Sequence, residues 1–323
     1  MKILVTGSNG EIGTNLCLKL KKEGHEVFGI DKRKNSWTDN LEYSLLDLSD
    51  KFSNFKKGFE NSRSKLKISF KPDAVVHLAA NAKVHELVEN PSRAMDNIKI
   101  TFNVLEYCRQ NTVPIIFASS REVYGDIRRF NTNGRVTDEK KADFKFTESP
   151  YSASKISGEA LIYSYAKCYN LPYLVFRFSN VYGRFDNDLE RMERVIPLFI
   201  KKINNKNKIT IFGKNKILDF TYVDDCVNGI YSGVKNLVLR EVKNETINLA
   251  YGKGQSLLNL VEYIEDNLGK KANYKIKDTR IGEVAHYVAD ISKAKKLLNY
   301  NPKTSLKEGV KKTIDWWKER GEL

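Results

Sequence analysis

The sequence predicts an α/β protein built on a doubly wound parallel sheet, with a smaller C-terminal α/β lobe. Three observations support this prediction. Residues 2–6 are an apolar run that leads into three glycines at three-residue spacing, and an amphipathic segment follows the glycines. A second apolar run ends at Asp31, and a third occupies residues 74–80. Strands that alternate with helical segments form parallel sheets, so we expect a Rossmann-type core.

The first thirteen residues predict a dinucleotide site, because they give the order strand, glycine turn and helix. The glycines are Gly7, Gly10 and Gly13. Such a turn lets the backbone approach a pyrophosphate and points free N–H groups and the positive end of the helix towards it. Asp31 follows the second strand, where a carboxylate can accept both hydroxyls of an adenosine ribose. The carboxylate would repel a 2′-phosphate, so we expect NAD, although Lys32 and Arg33 leave room for NADP.

Composition restricts the class of protein. No segment approaches about eighteen apolar residues and the chain begins with a strand, so we expect neither a membrane span nor a signal peptide. The four cysteines form no zinc pattern and no disulfide framework, so we expect no metal site and a cytoplasmic, reducing compartment. The formal charge of +15 comes from scattered lysines without a nucleic-acid-binding motif. We therefore expect anionic nucleotide substrates rather than nucleic acid as partners.

The segments between the second strand and the middle of the chain alternate in the same way. A short strand is predicted to end at Asp47, which either lies near an adenine edge or caps the next helix. Residues 51–71 are expected to form a helix and a loop. A helix is predicted over residues 91–110, because a proline lies at its start and apolar residues recur at helical spacing. The apolar positions are Met95, Ile98, Phe102 and Leu105.

The next predicted strand covers residues 113–118, and a short polar segment and then a long charged segment follow it. The strand runs into Ser119 and Ser120, at the end of the sheet where ligands bind. Residues 126–145 are a long charged segment that we interpret as a lid or mobile insertion.

A long helix that begins after Pro150 carries the candidate catalytic residues. Tyr151 and Lys155 are four residues apart and therefore lie on one helical face. A free tyrosine has a pKa of about 10, too high for a base at neutral pH. The lysine cation and a positive nicotinamide ring would both lower this pKa, and Ser120 could share the proton of the substrate hydroxyl.

With these motifs in place, the chain resembles the extended short-chain dehydrogenase/reductase family, in its branch of NAD-dependent sugar-nucleotide epimerases and dehydratases. The resemblance covers nearly the whole chain. Seven motifs carry it: TGSNGEIG at 6–13, HLAA at 77–80, SSREVYG at 119–125, YSASK at 151–155, RFSNVYG at 177–183, DFTYVDD at 219–225 and RIGEVAHYVADISKAKKLL at 280–298.

The resemblance implies a site with three groups of residues. The catalytic residues are Ser120, Tyr151 and Lys155, with Glu122 as an additional candidate. The cofactor-binding residues are Gly7, Asn9, Gly10, Glu11, Ile12, Gly13, Asp31, Lys32, Asp47, Leu48, Leu78, Ala79, Ala80, Asn97, Ala118, Tyr151, Lys155 and Phe178. The substrate-binding residues are Ser120, Arg121, Glu122, Tyr151, Asn180, Val195, Ile211, Phe212 and Arg280. Relatives often carry arginine at the position of Leu218, so one contact to a substrate diphosphate is missing or comes from another residue.

The family contains several reactions that begin with the same oxidation of a sugar hydroxyl. Glu122 matches the glutamate of dehydratases and decarboxylases, and Arg121 could neutralise it, receive a substrate carboxylate or point away. We expect C4 epimerisation of a nucleotide sugar through a 4-keto intermediate, with UDP-glucose and UDP-galactose as the first choice. UDP-glucuronate decarboxylation and NDP-hexose 4,6-dehydration are alternatives, and a non-catalytic NAD- or nucleic-acid-binding relative is an alternative of another class.

We expect the NAD-binding domain to contain residues 1–178 and about 217–250. The substrate domain would then contain residues 179–216 and 251–323. In this family the helices predicted at 91–110 and 151–169 pair with their copies, so the resemblance also implies a homodimer.

Overall fold

A parallel sheet of seven strands forms the centre of the molecule. The structure is a computed structural model that describes residues 1–50, 71–126, 136–190 and 193–323. The strand order in the sheet is β10-β6-β5-β4-β1-β2-β3, and every neighbouring pair is parallel. These strands are β1 (Lys2–Thr6), β2 (Glu26–Asp31), β3 (Tyr43–Leu45), β4 (Ala74–His77), β5 (Ile115–Ser120), β6 (Tyr173–Phe178) and β10 (Glu245–Leu249). The order reverses beside β1, so the predicted doubly wound fold is confirmed and its ligand crevice lies at the carboxyl ends of β1 and β4.

Helices cover both faces of this sheet. The helices are α1 (Glu11–Lys22), α2 (Val84–Glu89), α3 (Ser92–Asn111), α4 (Pro150–Tyr169), α5 (Val195–Asn204), α6 (Val223–Val238), α7 (Leu257–Leu268), α8 (Ser292–Leu298) and α9 (Leu306–Glu319). Side chains alternate along β1, so Ile3 and Val5 pack in the same core cluster as residues of α1 and α6. Leu4 packs on the other face with residues of α3 and α4. Both faces of the strand are therefore buried, as its apolar run predicts.

Two smaller sheets form most of the remaining structure. The strand order of the first is β11-β9-β7, and the second pairs β12 with β8. These strands are β7 (Asn180–Tyr182), β8 (Ile209–Phe212), β9 (Ile217–Tyr222), β11 (Gly254–Ser256) and β12 (Tyr274–Lys277). Within the segment 217–250, α6 packs on α1 and β10 extends the large sheet, whereas β9 belongs to the small sheet. The division of the chain into two domains stays a prediction.

Local sequence fixes the start of α4. The Ser149 side chain accepts a hydrogen bond from the backbone N–H of Ser152 at 3.2 Å, and the Ser152 hydroxyl accepts one from the Ser149 N–H at 3.1 Å. Pro150 occupies the first helical turn, where a missing N–H costs nothing. This capping box places Tyr151 in the first turn, beside the end of β5.

Several element boundaries differ from the predictions. β3 ends at Leu45, two residues before Asp47, and β4 ends at His77, so residues 78–80 are loop. The apolar side chains predicted to share one face of α3 do not share one environment. Leu105 is buried, whereas Met95 is 65% exposed and Phe102 is 43% exposed. Two predicted segments lie largely or partly outside the described residues. They are residues 51–70 of the helix and loop predicted at 51–71, and residues 127–135 of the predicted lid. Among the residues that are described, no helix has the length and apolar character needed to cross a membrane.

Candidate active site

A cavity of about 870 Å³ runs along the carboxyl ends of the large sheet and reaches the small sheets. It brings together nearly all of the predicted site residues. The predicted cofactor residues in its wall are Gly7, Gly10, Glu11, Ile12, Gly13, Asp31, Lys32, Asp47, Leu48, Leu78, Ala79, Ala80, Ala118, Tyr151, Lys155 and Phe178. The predicted substrate residues in its wall are Ser120, Arg121, Glu122, Tyr151, Asn180, Val195, Phe212 and Arg280.

The glycine turn forms one end of the cavity. Gly7 has a φ of +72°, and a Cβ atom there would lie 2.7 Å from the backbone nitrogen of Ala79, so only glycine fits. The Asp31 carboxylate accepts hydrogen bonds from the backbone N–H groups of Asn9 and Arg33, both at 3.0 Å. The Lys32 ammonium donates to Asn81 at 3.2 Å. A close backbone turn with a fixed carboxylate at the next strand end suits a dinucleotide with an unphosphorylated ribose.

Three predicted site residues lie outside the cavity wall. Asn9 holds the turn from behind, because its side-chain nitrogen donates to the carbonyl of Arg33 at 2.7 Å. Ile211 is fully buried in the core, because side chains alternate along β8 and those of Thr210 and Phe212 face the cavity instead. The prediction from sequence chose the wrong face of the strand at this position.

Asn97 is the third residue outside the wall, and it connects the loop after β4 to α4. Its side-chain oxygen accepts from the Asn81 N–H at 2.7 Å. Its side-chain nitrogen donates to the Asn81 carbonyl at 3.0 Å and to the Ser154 hydroxyl at 3.1 Å. Asn97 therefore braces the helix that carries Tyr151 and Lys155.

Tyr151, Lys155 and Ser120 meet at the centre of the cavity, and each is at most 9% exposed. The Lys155 ammonium lies 5.8 Å from the centre of the Tyr151 ring and donates to the Ala118 carbonyl at 2.7 Å. Burial raises the pKa of Tyr151 to about 12, although a hydrogen bond with Ser120 acts in the opposite direction and lowers it. Burial lowers the pKa of Lys155 to about 8, partly offset by Glu159. Lys155 is not among the groups that shift this pKa, so the lowering of the tyrosine pKa by the lysine cation and a nicotinamide ring stays a prediction.

Beside Ser120, Arg121 and Glu122 form a buried ion pair. The Arg121 Nη2 atom lies 2.9 Å from Glu122 Oε1 and donates to the Asn180 side-chain oxygen at 3.3 Å. Burial raises the pKa of Glu122, while Arg121 and Lys216 lower it. Two buried atoms, Arg121 Nη1 and Glu122 Oε2, have no hydrogen-bond partner among the described residues. Each is therefore a polar atom with almost no exposed surface that the described residues leave unsatisfied.

At the far end of the cavity, basic and aromatic side chains come together. The Arg280 guanidinium lies 4.0 Å from the centre of the Phe212 ring. Glu283 Oε1 is 3.9 Å from Arg280, and its Oε2 is 2.7 Å from the Lys216 ammonium. Val195, at the start of α5, lines the same region. Planar aromatic surface beside cations suits a ligand that joins a flat ring to an anionic group.

The fold and this geometry agree with comparison to known proteins. Residues 3–250 match the NAD dependent epimerase/dehydratase family. The chain belongs to this family. It is therefore an NAD-dependent enzyme of the epimerase type.

Individual relatives in this epimerase/dehydratase family align over nearly their whole length. A UDP-glucuronate 4-epimerase of Thermodesulfobacterium geofontis is 36% identical over 331 residues, with 99% of this chain and 97% of the relative covered. The structure of a UDP-glucose 4-epimerase of Thermotoga maritima with UDP-glucose gives a TM-score of 0.86 at 29% identity, with both chains covered fully. The structure of a UDP-glucuronic acid 4-epimerase of Bacillus cereus with UDP-glucuronic acid and NAD gives 0.83 at 28% identity, with 99% and 100% covered.

Two charged groups around the site of this epimerase/dehydratase were not predicted from the sequence. Glu159 accepts from the Ser119 hydroxyl at 2.6 Å and from Arg177 at 2.6 and 2.9 Å, all behind the catalytic centre. Its spacing of four from Lys155, on the face of α4 that carries Tyr151, was a signal that could have revealed it.

The second group connects the glycine turn to the start of α5. Arg194 contacts Glu11, and it lies 3.1 Å from Asp186. Burial raises the pKa of Asp186 well above its ordinary value and lowers the pKa of Arg194 to about 10. No local pattern marks this group, because Glu11 is far from Asp186 and Arg194 in the sequence.

Proposed function

We propose that this enzyme epimerises a UDP-hexuronate at C4, interconverting UDP-glucuronate and UDP-galacturonate with NAD. The observation that carries the proposal is Arg121, whose side chain is only 11% exposed and lines the cavity next to Ser120. The named activities of the T. geofontis and B. cereus relatives support the same substrate class. The proposal replaces the uncharged UDP-hexose that the sequence analysis placed first.

A uronate fits this position for chemical reasons. Its C6 carboxylate is next to C5 and close to C4, so a sugar with its C4 hydroxyl at Tyr151 and Ser120 carries the carboxylate into the same region. A guanidinium binds a carboxylate through planar, charge-assisted hydrogen bonds. Burial raises the pKa of Glu122, although Arg121 and Lys216 lower it. If Glu122 takes up a proton when the substrate binds, its carboxyl group can donate a hydrogen bond to the sugar carboxylate, and the charge of Arg121 is released to the same carboxylate.

The catalytic roles follow from the positions of the side chains. Tyr151 takes the proton of the C4 hydroxyl, and Ser120 shares the hydrogen bond to that oxygen. Tyr151 has a pKa of about 12, so its phenol must be favoured towards the phenolate before it can act as a base. The ammonium of Lys155 favours the phenolate. The glycine turn and Asp31 would hold NAD, which would supply reversible hydride transfer at C4 of the sugar.

Glu122 favours a second candidate, decarboxylation of the same uronate or 4,6-dehydration of an NDP-hexose. A buried carboxyl group with one oxygen unpartnered among the described residues could move a proton at C5 or C6 once C4 is oxidised. A non-catalytic binding protein is disfavoured, because Ser120, Tyr151 and Lys155 share one buried site with an H-bonded tyrosine.

One incubation separates the candidates. The purified protein is given UDP-glucuronate or UDP-glucose with catalytic NAD, and the products are identified by NMR. We expect UDP-galacturonate from the first and little conversion of the second. A UDP-pentose and carbon dioxide would identify the decarboxylase, and UDP-galactose from UDP-glucose with the uronate untouched would contradict the proposal.

An Arg121→Met variant tests the assigned carboxylate partner. Loss of a charged hydrogen bond of about 1.5–3 kcal/mol lowers kcat/KM for UDP-glucuronate by about 10- to 150-fold. We also expect a fall in the specificity ratio, which is kcat/KM for UDP-glucuronate divided by kcat/KM for UDP-glucose. This ratio does not depend on the fraction of the protein that is active. The matched control is Arg320→Met, at an exposed arginine. An unchanged ratio would remove Arg121 from substrate recognition.

We also infer that two copies pair through α3 and α4. Met95 and Phe102 on α3 and Tyr169 on α4 are exposed apolar side chains on two helices that pack against each other. Exposed apolar side chains on paired helices favour association between protein chains. A second copy of the same helices would complete a four-helix arrangement and cover these side chains.

A further inference from the structure

Lys216 is a buried lysine at the substrate end of the cavity. Its residue is 7% exposed, and its ammonium lies 2.7 Å from Glu283 Oε2. Leu218 and Phe220 follow at spacings of two along β9, and both also line the cavity. Because alternate residues of an extended segment share one face, the three side chains point into the same space. A lysine is seldom buried without a counter-ion, so its partners decide its role.

Glu283 is a counter-ion that Lys216 shares with Arg280. The Arg280 guanidinium lies 3.9 Å from the other oxygen of this carboxylate. One carboxylate therefore faces two cations, and the group has a net charge of +1. Arg121, another cation of the wall, contacts Glu122. The group of Lys216, Glu283 and Arg280 therefore places one uncompensated positive charge beside the aromatic ring of Phe212.

We propose that Lys216, together with Arg280, binds the diphosphate of the nucleotide sugar. The proposal rests on the function proposed above, because it assigns a residue to the substrate of that same site. An ammonium has three donors, so Lys216 can keep one hydrogen bond to Glu283 and give the others to phosphate oxygens. Glu283 holds both cations in place before the substrate arrives, which reduces the entropy lost on binding.

Leu218 explains why this chain needs such a lysine. Its side chain is apolar and only 5% exposed, and it faces the cavity between Lys216 and Phe220. An apolar side chain offers a phosphate neither charge nor a hydrogen bond. Lys216 is two residues away on the same face, so its long side chain can supply the cation that this position of the strand lacks.

Binding of UDP and of uridine to the NAD-loaded enzyme tests the proposal, with both affinities measured by isothermal titration calorimetry. UDP carries the diphosphate and uridine does not, so only the affinity for UDP should change when Lys216 is replaced. We expect Lys216→Met to weaken UDP binding about 10- to 100-fold and to change uridine binding by less than about twofold. The control is Lys214→Met, at an exposed lysine on the same segment, and it should leave both affinities unchanged.

A second variant covers the case in which an unpaired Glu283 unfolds the protein. Lys216→Met combined with Glu283→Gln removes both charges of the pair, and we expect it to fold and to bind UDP as weakly as the single variant. Leu218→Arg added to Lys216→Met should restore most of the UDP affinity.

Two results would overturn the proposal. They are unchanged UDP affinity in the Lys216→Met variant, or an equal loss of affinity for UDP and for uridine. UDP contains no sugar, so these titrations do not depend on which sugar the enzyme converts. A failure of the uronate assignment is therefore distinguishable from a failure of this one.

Discussion

Replacing Glu159 by glutamine tests whether the ion pair behind the catalytic centre stabilises the fold. The side chains of Glu159 and Arg177 are each 6% exposed. The carboxylate accepts from the Ser119 hydroxyl at 2.6 Å, from the Tyr163 hydroxyl at 3.0 Å and from Arg177 at 2.6 and 2.9 Å. These bonds join α4, β5 and β6, the elements that position Tyr151 and Ser120.

The size of the effect follows from these contacts. Glutamine has the same shape but only one acceptor oxygen, so either orientation places an amide N–H against donors of Arg177. Arg177 would keep its bonds to the Tyr124 hydroxyl at 3.1 Å and the Glu139 carbonyl at 2.8 Å. Removing one partner of a buried pair costs about 3–5 kcal/mol. Since Arg177 keeps these two acceptors, we expect the free energy of unfolding to fall by about 3 kcal/mol.

Equilibrium urea unfolding measures this loss, with Glu262→Gln on the exposed face of α7 as control. Arg177→Met and the double variant complete a double-mutant cycle. We expect the double variant to be more stable than the sum of the single losses by at least about 1 kcal/mol, because the second change removes the unpaired charge. A loss under about 1 kcal/mol for Glu159→Gln, or strict additivity in the cycle, would refute the reasoning.

Three further predictions concern the catalytic centre and assembly. Tyr151→Phe should lower kcat by about 10²- to 10⁴-fold while NAD affinity, measured by fluorescence titration, stays within about twofold; a loss under tenfold would exclude Tyr151 as the base. Because burial lowers the pKa of Lys155 to about 8, kcat should decline above about pH 8 as the ammonium loses its proton. Initial rates measured from pH 6 to 10 should show this decline in the unmodified enzyme but not in Lys155→Met. Met95→Glu combined with Phe102→Glu should shift gel-filtration elution to the 37.1 kDa monomer, whereas Leu239→Glu, at another exposed apolar residue, should not.

Local signals made much of this protein predictable from its sequence. The glycine turn, the buried strands β1 and β2 and the start of α4 depend on neighbouring residues, so spacing alone identified them. Tyr151 and Lys155 could be paired for the same reason, since a separation of four residues fixes their face of the helix. The doubly wound sheet followed from the alternation of these elements, and the structure confirms it.

Contacts between distant parts of the chain could not be predicted in this way. Glu11 and Arg194 are in contact in the structure, but they are far apart in the sequence. An apolar pattern marks a helical face without saying what covers it, so Met95 and Phe102 were placed with Leu105 although they are exposed. The error at Ile211 was avoidable, because strict alternation along β8 favours Thr210 and Phe212 as the residues that face a ligand.

The seventh strand has a consequence for how the protein is made. β10 (Glu245–Leu249) pairs with β6 along one border of the sheet, yet the chain forms β7, β8 and β9 between them. During synthesis, β6 therefore leaves the ribosome well before its neighbour and presents unpaired backbone groups to other nascent chains. A fragment that stops near residue 178 would keep the glycine turn, Tyr151 and Lys155, but β6 would replace β10 as the edge strand of the sheet. The sheet that carries these residues is therefore complete only after a segment that the ribosome delivers late.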